Sequence, residues 1–315
     1  MDLAALLHSV SYAGTWGQAF LTAEEFIDKA ASLGFDGVLL AAKRPHVSIL
    51  DYGPKERAAM RQRIERTRLT SVAIAGYNNL TADMEHGDVP HLEIQVHYIT
   101  ELARLAHDLG GTLVRVFTGY ENLASSYVPQ WNLVVRGLKE CSRRAADWGV
   151  TIGVQNHHDI AVGFEAQYDL IRAVNEPNCK ALFDAWAPAL HGADLSAGAR
   201  LLGPITAHTT VANYVKRPRY RYEPTLVNYV PAVPYVQAVG MSEGFIDYPS
   251  FWREMWDAGF RGSVAYEMCS PLLAGGSMES LDRHAAGFLE MFDAFRRSVR
   301  ASATASQARF LADNS

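Results

Sequence analysis

Val150-Thr151-Ile152-Gly153-Val154-Gln155-Asn156-His157-His158-Asp159 starts as an apolar run and ends in a cluster of amide, imidazole and carboxylate groups. A strand that is apolar along its length and polar at its C-terminal end is how a parallel α/β sheet presents a site, because the strands open into loops there. Just before this strand, Asp147-Trp148-Gly149 closes a helix. The same joint recurs at Gly34, Gly110 and Gly259: an amphipathic helix stops at a glycine, which takes left-handed backbone without steric cost, and a strand begins within a few residues. Gly110 and Gly149 are 39 residues apart, which is about one βα unit. The repeat predicts an alternating βα chain around a parallel sheet.

Counting outward from this strand gives eight units, an α/β chain folded as a (β/α)8 TIM barrel over residues 1–300. The predicted strands cover residues 6–12, 37–41, 70–75, 112–117, the run ending in Gln155, 180–183, 205–207 and 263–266. Thr22-x-x-Glu25 is a capping box that opens the first helix. Leu92, Val96, Ile99, Ala103, Ala106 and Leu109 recur at helical spacing after Pro90. Residues 211–240 make a long loop after the seventh strand, with Lys216, Arg217, Arg219, Arg221 and tyrosines 214, 220, 222, 229 and 235; an ordered lid is expected. Residues 301–315 read as a frayed tail, with Phe310 and Leu311 tacking down its end.

The last four predicted strands each deliver a potential metal ligand at one face: Gln155, Asp184, His208 and Glu267. Polar residues at strand ends are common, but four of ligand type point to one divalent cation. Read alone, Gln155, His157 and His158 serve equally well to close a strand end with hydrogen bonds.

The chain has 315 residues, 49% hydrophobic and 20% charged, which is globular composition. With no apolar run near the roughly 20 residues of a membrane span and no cleavable leader pattern, a cytoplasmic protein without membrane contact is expected. Cys141, Cys179 and Cys269 are far apart and odd in number, so no disulfide framework is signalled. A net charge of -5 argues against a nucleic-acid surface over the whole protein.

The segments Leu33-Gly34-Phe35-Asp36-Gly37-Val38 and Gly244 to Glu267, with its aGfrGsvayE ending, resemble the xylose isomerase-like superfamily of sugar isomerases, epimerases and related lyases. The resemblance implies a single divalent metal, manganese first and magnesium or cobalt next, held by Gln155, Asp184, His208 and Glu267. Most members have glutamate where Gln155 stands, and a histidine often stands at the position of Ala187. In the ketose 3-epimerases the two ligand glutamates also exchange protons on opposite faces of the sugar, and an amide cannot do so.

One-base chemistry therefore fits better than two-base epimerisation. His157 or His158 takes a proton beside a carbonyl, and a group β to it leaves. Asn156, Trp186, Arg217 and Tyr222 are expected to contact the substrate. Within the superfamily this chemistry resembles the larger subunit of the C-glycoside deglycosidases, which cleave 3-oxo-glucosides and work with a small β-rich partner; a homo-oligomer is the other assembly expected.

The runner-up is a sugar or inosose isomerase, epimerase or dehydratase with Glu267 as sole carboxylate base. An AP endonuclease has only the basic stretch at residues 216–221 in its favour, and Ala187 removes a zinc ligand that such enzymes need. A non-catalytic barrel is the remaining alternative. Lys43, Arg44 and His46 follow the second strand and could bind a substrate oxygen or phosphate, though these, like Asn78 and Asn79 after the third strand, read mainly as solvated loop residues; Glu165 and Asp194 read as helix end-charges. Arg115, if it faces inward, calls for an acidic neighbour.

Overall fold

Each joint folds as the sequence requires. Gly34, Gly110, Gly149 and Gly259 have φ of 95°, 80°, 66° and 106°, the left-handed backbone that ends a helix and strains any side chain. Thr22 and Glu25 form both bonds of the capping box ahead of α1 (Ala23–Leu33). These features come from a computed structural model that describes residues 3–313.

Eight parallel strands close into a barrel: β1 (Ala4–His8), β2 (Gly37–Ala41), β3 (Ser71–Ala75), β4 (Leu113–Val116), β5 (Thr151–Gln155), β6 (Cys179–Leu182), β7 (Thr206–Val211) and β10 (Ser263–Tyr266). Around the ring the order is β1, β10, β7, β6, β5, β4, β3, β2. The outward residues pack under the helices, α2 (Pro54–Glu65), α3 (His91–Asp108), α4 (Tyr127–Ala146), α5 (Phe164–Val174), α6 (Trp186–Leu190), α7 (Leu195–Leu202), α8 (Tyr248–Asp257) and α9 (Met278–Asp313). Inside the barrel Leu6, Leu39, Ala73, Leu113 and Ala265 form a separate apolar plug. Two residues further along four of those strands, on the same face, stand His8, Ala41, Arg115 and Glu267. The plug thus forms an apolar floor, and the polar groups begin where the strands leave it.

Where the backbone has no room for a side chain, glycine is fixed by contact. A Cβ at Gly262, at the foot of β10, would lie 2.0 Å from the Ala207 carbonyl oxygen. No helix among the described residues is long and apolar enough to cross a membrane.

Four expectations change. The first strand, predicted over residues 6–12, runs from Ala4 to His8, and Ser9–Tyr12 form a 3-10 helix. The predicted lid is an antiparallel arm, β8 (Asn213–Glu223) paired with β9 (Asn228–Val239). Its residues alternate in side-chain direction along both strands, and Tyr220, Tyr222 and Tyr229 stand out at 64%, 49% and 67% exposure instead of covering the barrel. The predicted tail is helical to Asp313 as the end of α9; the contact expected of Phe310 and Leu311 lies outside the described side chains. Finally, β7 runs on to Val211, beyond the predicted end at residue 207, and carries a register shift where Ala181 and Leu182 of β6 face Thr206 and His208.

Candidate active site

The strands open at their C-terminal ends into a cavity of about 280 Å³. Its polar wall consists of Gln155 from the end of β5, Asp184 after β6, Thr210 on β7 and Glu267 after β10. Tyr77, Phe117, Trp186 and Tyr214 supply aromatic surface, and Lys43 and Arg115 supply positive charge.

The expected metal quartet does not assemble. The bulge in β7 sets two of its residues against one of β6, so Thr210 meets Asp184 and Gln155 at the cavity. His208 lies two residues earlier and is fully buried, with Nδ1 2.6 Å from Ser263 Oγ. Ser263 is also its partner in register at the start of β10, four residues before Glu267. Among the described residues no group of three or more His, Cys, Asp or Glu side chains is placed to hold a cation.

The donor set itself is a poor fit for a divalent ion. Asp184 already accepts from the Thr210 amide at 2.7 Å, the Thr209 hydroxyl at 3.3 Å, the Thr210 hydroxyl and the Gln155 side-chain amide. Those four bonds fill the lone pairs a metal would need, and burial pushes the carboxyl up to about 7 in spite of them. Gln155 turns its nitrogen to Asp184 and keeps Oε1 buried without a partner; that oxygen, the Glu267 carboxylate and the Nε2 of His208, which does not line the cavity, are the ligand atoms left open. Arg115 already places a fixed positive charge in the same cavity.

His157 and His158 both line the cavity, and their hydrogen bonds fix their protons. His157 Nδ1 accepts the backbone N–H of His158 at 2.8 Å, so the proton of that ring is on Nε2. His158 Nδ1, 2.9 Å from the same nitrogen, is then the donor, which leaves His158 Nε2 as a bare lone pair. Burial, reinforced for His157 by His158 and for both by Arg115, holds His157 at about 3 and His158 at about 4, so both are neutral near pH 7. The His158 ring lies between Tyr120 and Phe117, each with its centroid 4.2 Å away. Its backbone is left-handed, with φ of 67°, a strained conformation that aims the imidazole.

Glu267 faces this pair. It follows β10, three places from β5 in the ring of eight strands, and so stands on the opposing wall. Burial raises its pKa, and Arg115 and Thr210 partly oppose the rise. His8 Nε2 lies 3.7 Å from Glu267 Oε1 and 3.5 Å from an Arg115 nitrogen, an interior relay between β1, β4 and β10 that sequence patterns do not reveal.

Of the expected substrate contacts, Asn156 and Trp186 line the cavity, while Arg217 and Tyr222 do not. Asn156 is spent on the Asp184 backbone, giving to its oxygen at 3.0 Å and accepting from its nitrogen at 2.8 Å. Arg217 bonds Gln237 across the arm, and Tyr222 packs on Tyr229 with centroids 5.4 Å apart. Tyr214, at the root of the arm, is the arm residue that reaches the cavity. His46 and Asn78 are buried and hold backbone or Ser9, and Arg44 pairs with Asp51. Asp194 caps α7, and Glu165 sits in the first turn of α5. Strand-end reading passed over Thr210; Lys43 read mainly as a solvated loop residue but lines the cavity, and Arg115 was legible only as an inward cation.

The neutral histidines make the fold acid-sensitive. His8, His157, His158 and His208 have folded pKa values below the unfolded 6.5, so the unfolded chain binds more protons and stability falls as pH drops below that value. Each contributes a loss of about 1 kcal/mol between pH 6.5 and 5.5. Asp184 acts in the opposite sense, because its folded pKa is raised, and returns about 1 kcal/mol over that interval. Urea titrations at the two pH values are expected to differ by about 3 kcal/mol in favour of pH 6.5; equal stabilities would mean that these imidazoles are solvated in the native state.

Comparison with known proteins agrees with the architecture. No curated protein matches the sequence. Among solved structures the chain is similar to a D-tagatose 3-epimerase-like protein (15% identity, 96% of this chain and 100% of that one, TM-score 0.71). It is also similar to an L-ribulose 3-epimerase (16% identity, 95% and 98% covered, TM-score 0.71). D-Psicose 3-epimerase from Clostridium cellulolyticum H10 superposes as well (15% identity, 92% and 98% covered, TM-score 0.67). At such identities the likeness shows the fold. Residues 27–290 match the xylose isomerase-like TIM barrel family, and the chain belongs to that family.

Proposed function

We propose that this protein is an enzyme acting on a carbonyl-bearing carbohydrate, taking the proton from the carbon beside the carbonyl and expelling a group β to it. The observation that carries the reading is the bare Nε2 of His158 set across one cavity from the partly buried carboxyl of Glu267. One neutral base and one acid on facing walls suit elimination. A second base on the face of Gln155, which epimerisation needs, is absent because an amide does not exchange protons.

In this mechanism His158 takes the C–H proton and its electron pair moves into the carbonyl to give an enolate. The Nε2–H of His157 and the Arg115 guanidinium are the donors for the oxygen on which that charge rests. As the carbonyl re-forms, the pair expels the β substituent, which leaves with the proton of Glu267; the products are an α,β-unsaturated carbonyl compound and the protonated leaving group. The ketose names of the structural neighbours support a carbohydrate substrate. Cleavage of a 3-oxo-C-glucoside, with or without a β-rich partner subunit, belongs to this reaction class.

Proton NMR in D2O tests the reading with 3-oxo-glucosides and free ketoses as probes. The expected result is loss of the C–H signal beside the carbonyl together with release of the aglycone from the glucosides. Exchange without release on every probe would turn the assignment to an isomerase, and no exchange on any probe would overturn it.

A further inference from the structure

We propose that Arg115 and Lys43 form an anion subsite, so that this cavity binds a sugar acid or similar oxyanion more tightly than the corresponding neutral sugar. Arg115 is 1% exposed, yet its Nε and Nη1 have no hydrogen-bond partner and its third nitrogen is only 3.5 Å from His8 Nε2. No ion pair of Arg115 is found among the described residues, and the carboxylate on the facing wall takes His8 as its neighbour. The guanidinium rests instead on aromatic faces, 4.1 Å from the Phe117 centroid and 4.9 Å from that of Tyr77. Such contacts return less than burying a guanidinium costs, so part of its hydration remains to be replaced.

Lys43 sharpens the point. Its Nζ lies 4.0 Å from the centroid of the same Tyr77 ring, and burial together with Arg115 holds the ammonium below the ordinary lysine range. Two cations crowding one ring repel each other, and both line the cavity. A carboxylate between them would give Arg115 the planar acceptor its free Nε and Nη1 are shaped for and would cancel the repulsion. A phosphate ester would satisfy the same donors. The subsite rests on the proposed reaction only for the location of the carbonyl.

Calorimetric titration with D-glucuronate, D-glucose 6-phosphate and D-glucose tests the subsite. The wild-type protein is expected to bind at least one of the two anions ten times or more tightly than glucose, and whichever binds better identifies the anion. Arg115→Met is expected to melt at or above the wild-type temperature, because an unpaired buried charge is removed, and to lose the preference for anions. Lys43→Met, at an exposed position, is expected to weaken the anion by about tenfold and leave glucose unchanged. Equal binding of glucose and both anions by the wild type, or undiminished anion binding by Arg115→Met, would overturn the proposal. If the wild type exchanges a ketose in D2O but binds glucose and both anions equally, the subsite fails and the proton-transfer reading stands. If glucuronate binds through Arg115 but no probe exchanges, the subsite stands and that reading fails.

Discussion

His158→Gln is expected to slow substrate C–H exchange by about 10²- to 10⁴-fold, the range that loss of a general base covers. Glutamine keeps the hydrogen-bonding capacity toward His157 and much of the ring volume but has no basic nitrogen. The pH profile carries a second signature. Because His158 is held at about 4, wild-type exchange should stay flat from neutrality down to about pH 5 on that limb and fall below it. Glu267→Gln should act on the other half of the reaction, leaving exchange in place while slowing release of the β group. A histidine that only shapes the loop would change exchange and release together and leave the pH limb where it was.

The other large effect is a gain. Gln155→Glu with Thr210→His restores a carboxylate and an imidazole beside Asp184 and Glu267, an oxygen-rich set with one nitrogen. The double variant is expected to take up about one manganese ion per chain by elemental analysis after dialysis, whereas the wild-type protein retains none in stoichiometric amount. Stoichiometric uptake by the wild type would show that the hydrogen bonds around Asp184 give way to a cation. Failure of the double variant alone would place the obstacle in the Arg115 charge, and adding Arg115→Met would test that.

The barrel was legible because each βα joint is written locally. A glycine with positive φ, a few intervening residues and a β-branched run repeat around Gly34, Gly110, Gly149 and Gly259 without reference to the rest of the chain. Gln155, Asp184 and Glu267 were legible for the same reason: each sits where a short strand ends. His208 was not, because the end of β7 is set by pairing with β10, where Tyr266 meets Val211, and by a bulge against β6. In Thr206-Ala207-His208-Thr209-Thr210-Val211 period-2 alternation puts both His208 and Thr210 inside, and only the partner strands decide which one reaches the cavity.

The arm shows the converse limit. Tyrosine and arginine signalled order, but the direction in which a hairpin leaves the barrel depends on its register from Asn213 and Val239 outward, which no local pattern carries. Arg115 was visible as a cation lacking a neighbour; that it rests on Tyr77 and Phe117 and meets His8 requires the closure of the barrel.

The most direct measurement is deuterium exchange at the carbon beside the substrate carbonyl by protein exhaustively treated with EDTA, with and without added manganese. Side-chain proton transfer predicts the same rate in both samples. Exchange that vanishes on chelation and returns in proportion to bound manganese would contradict it.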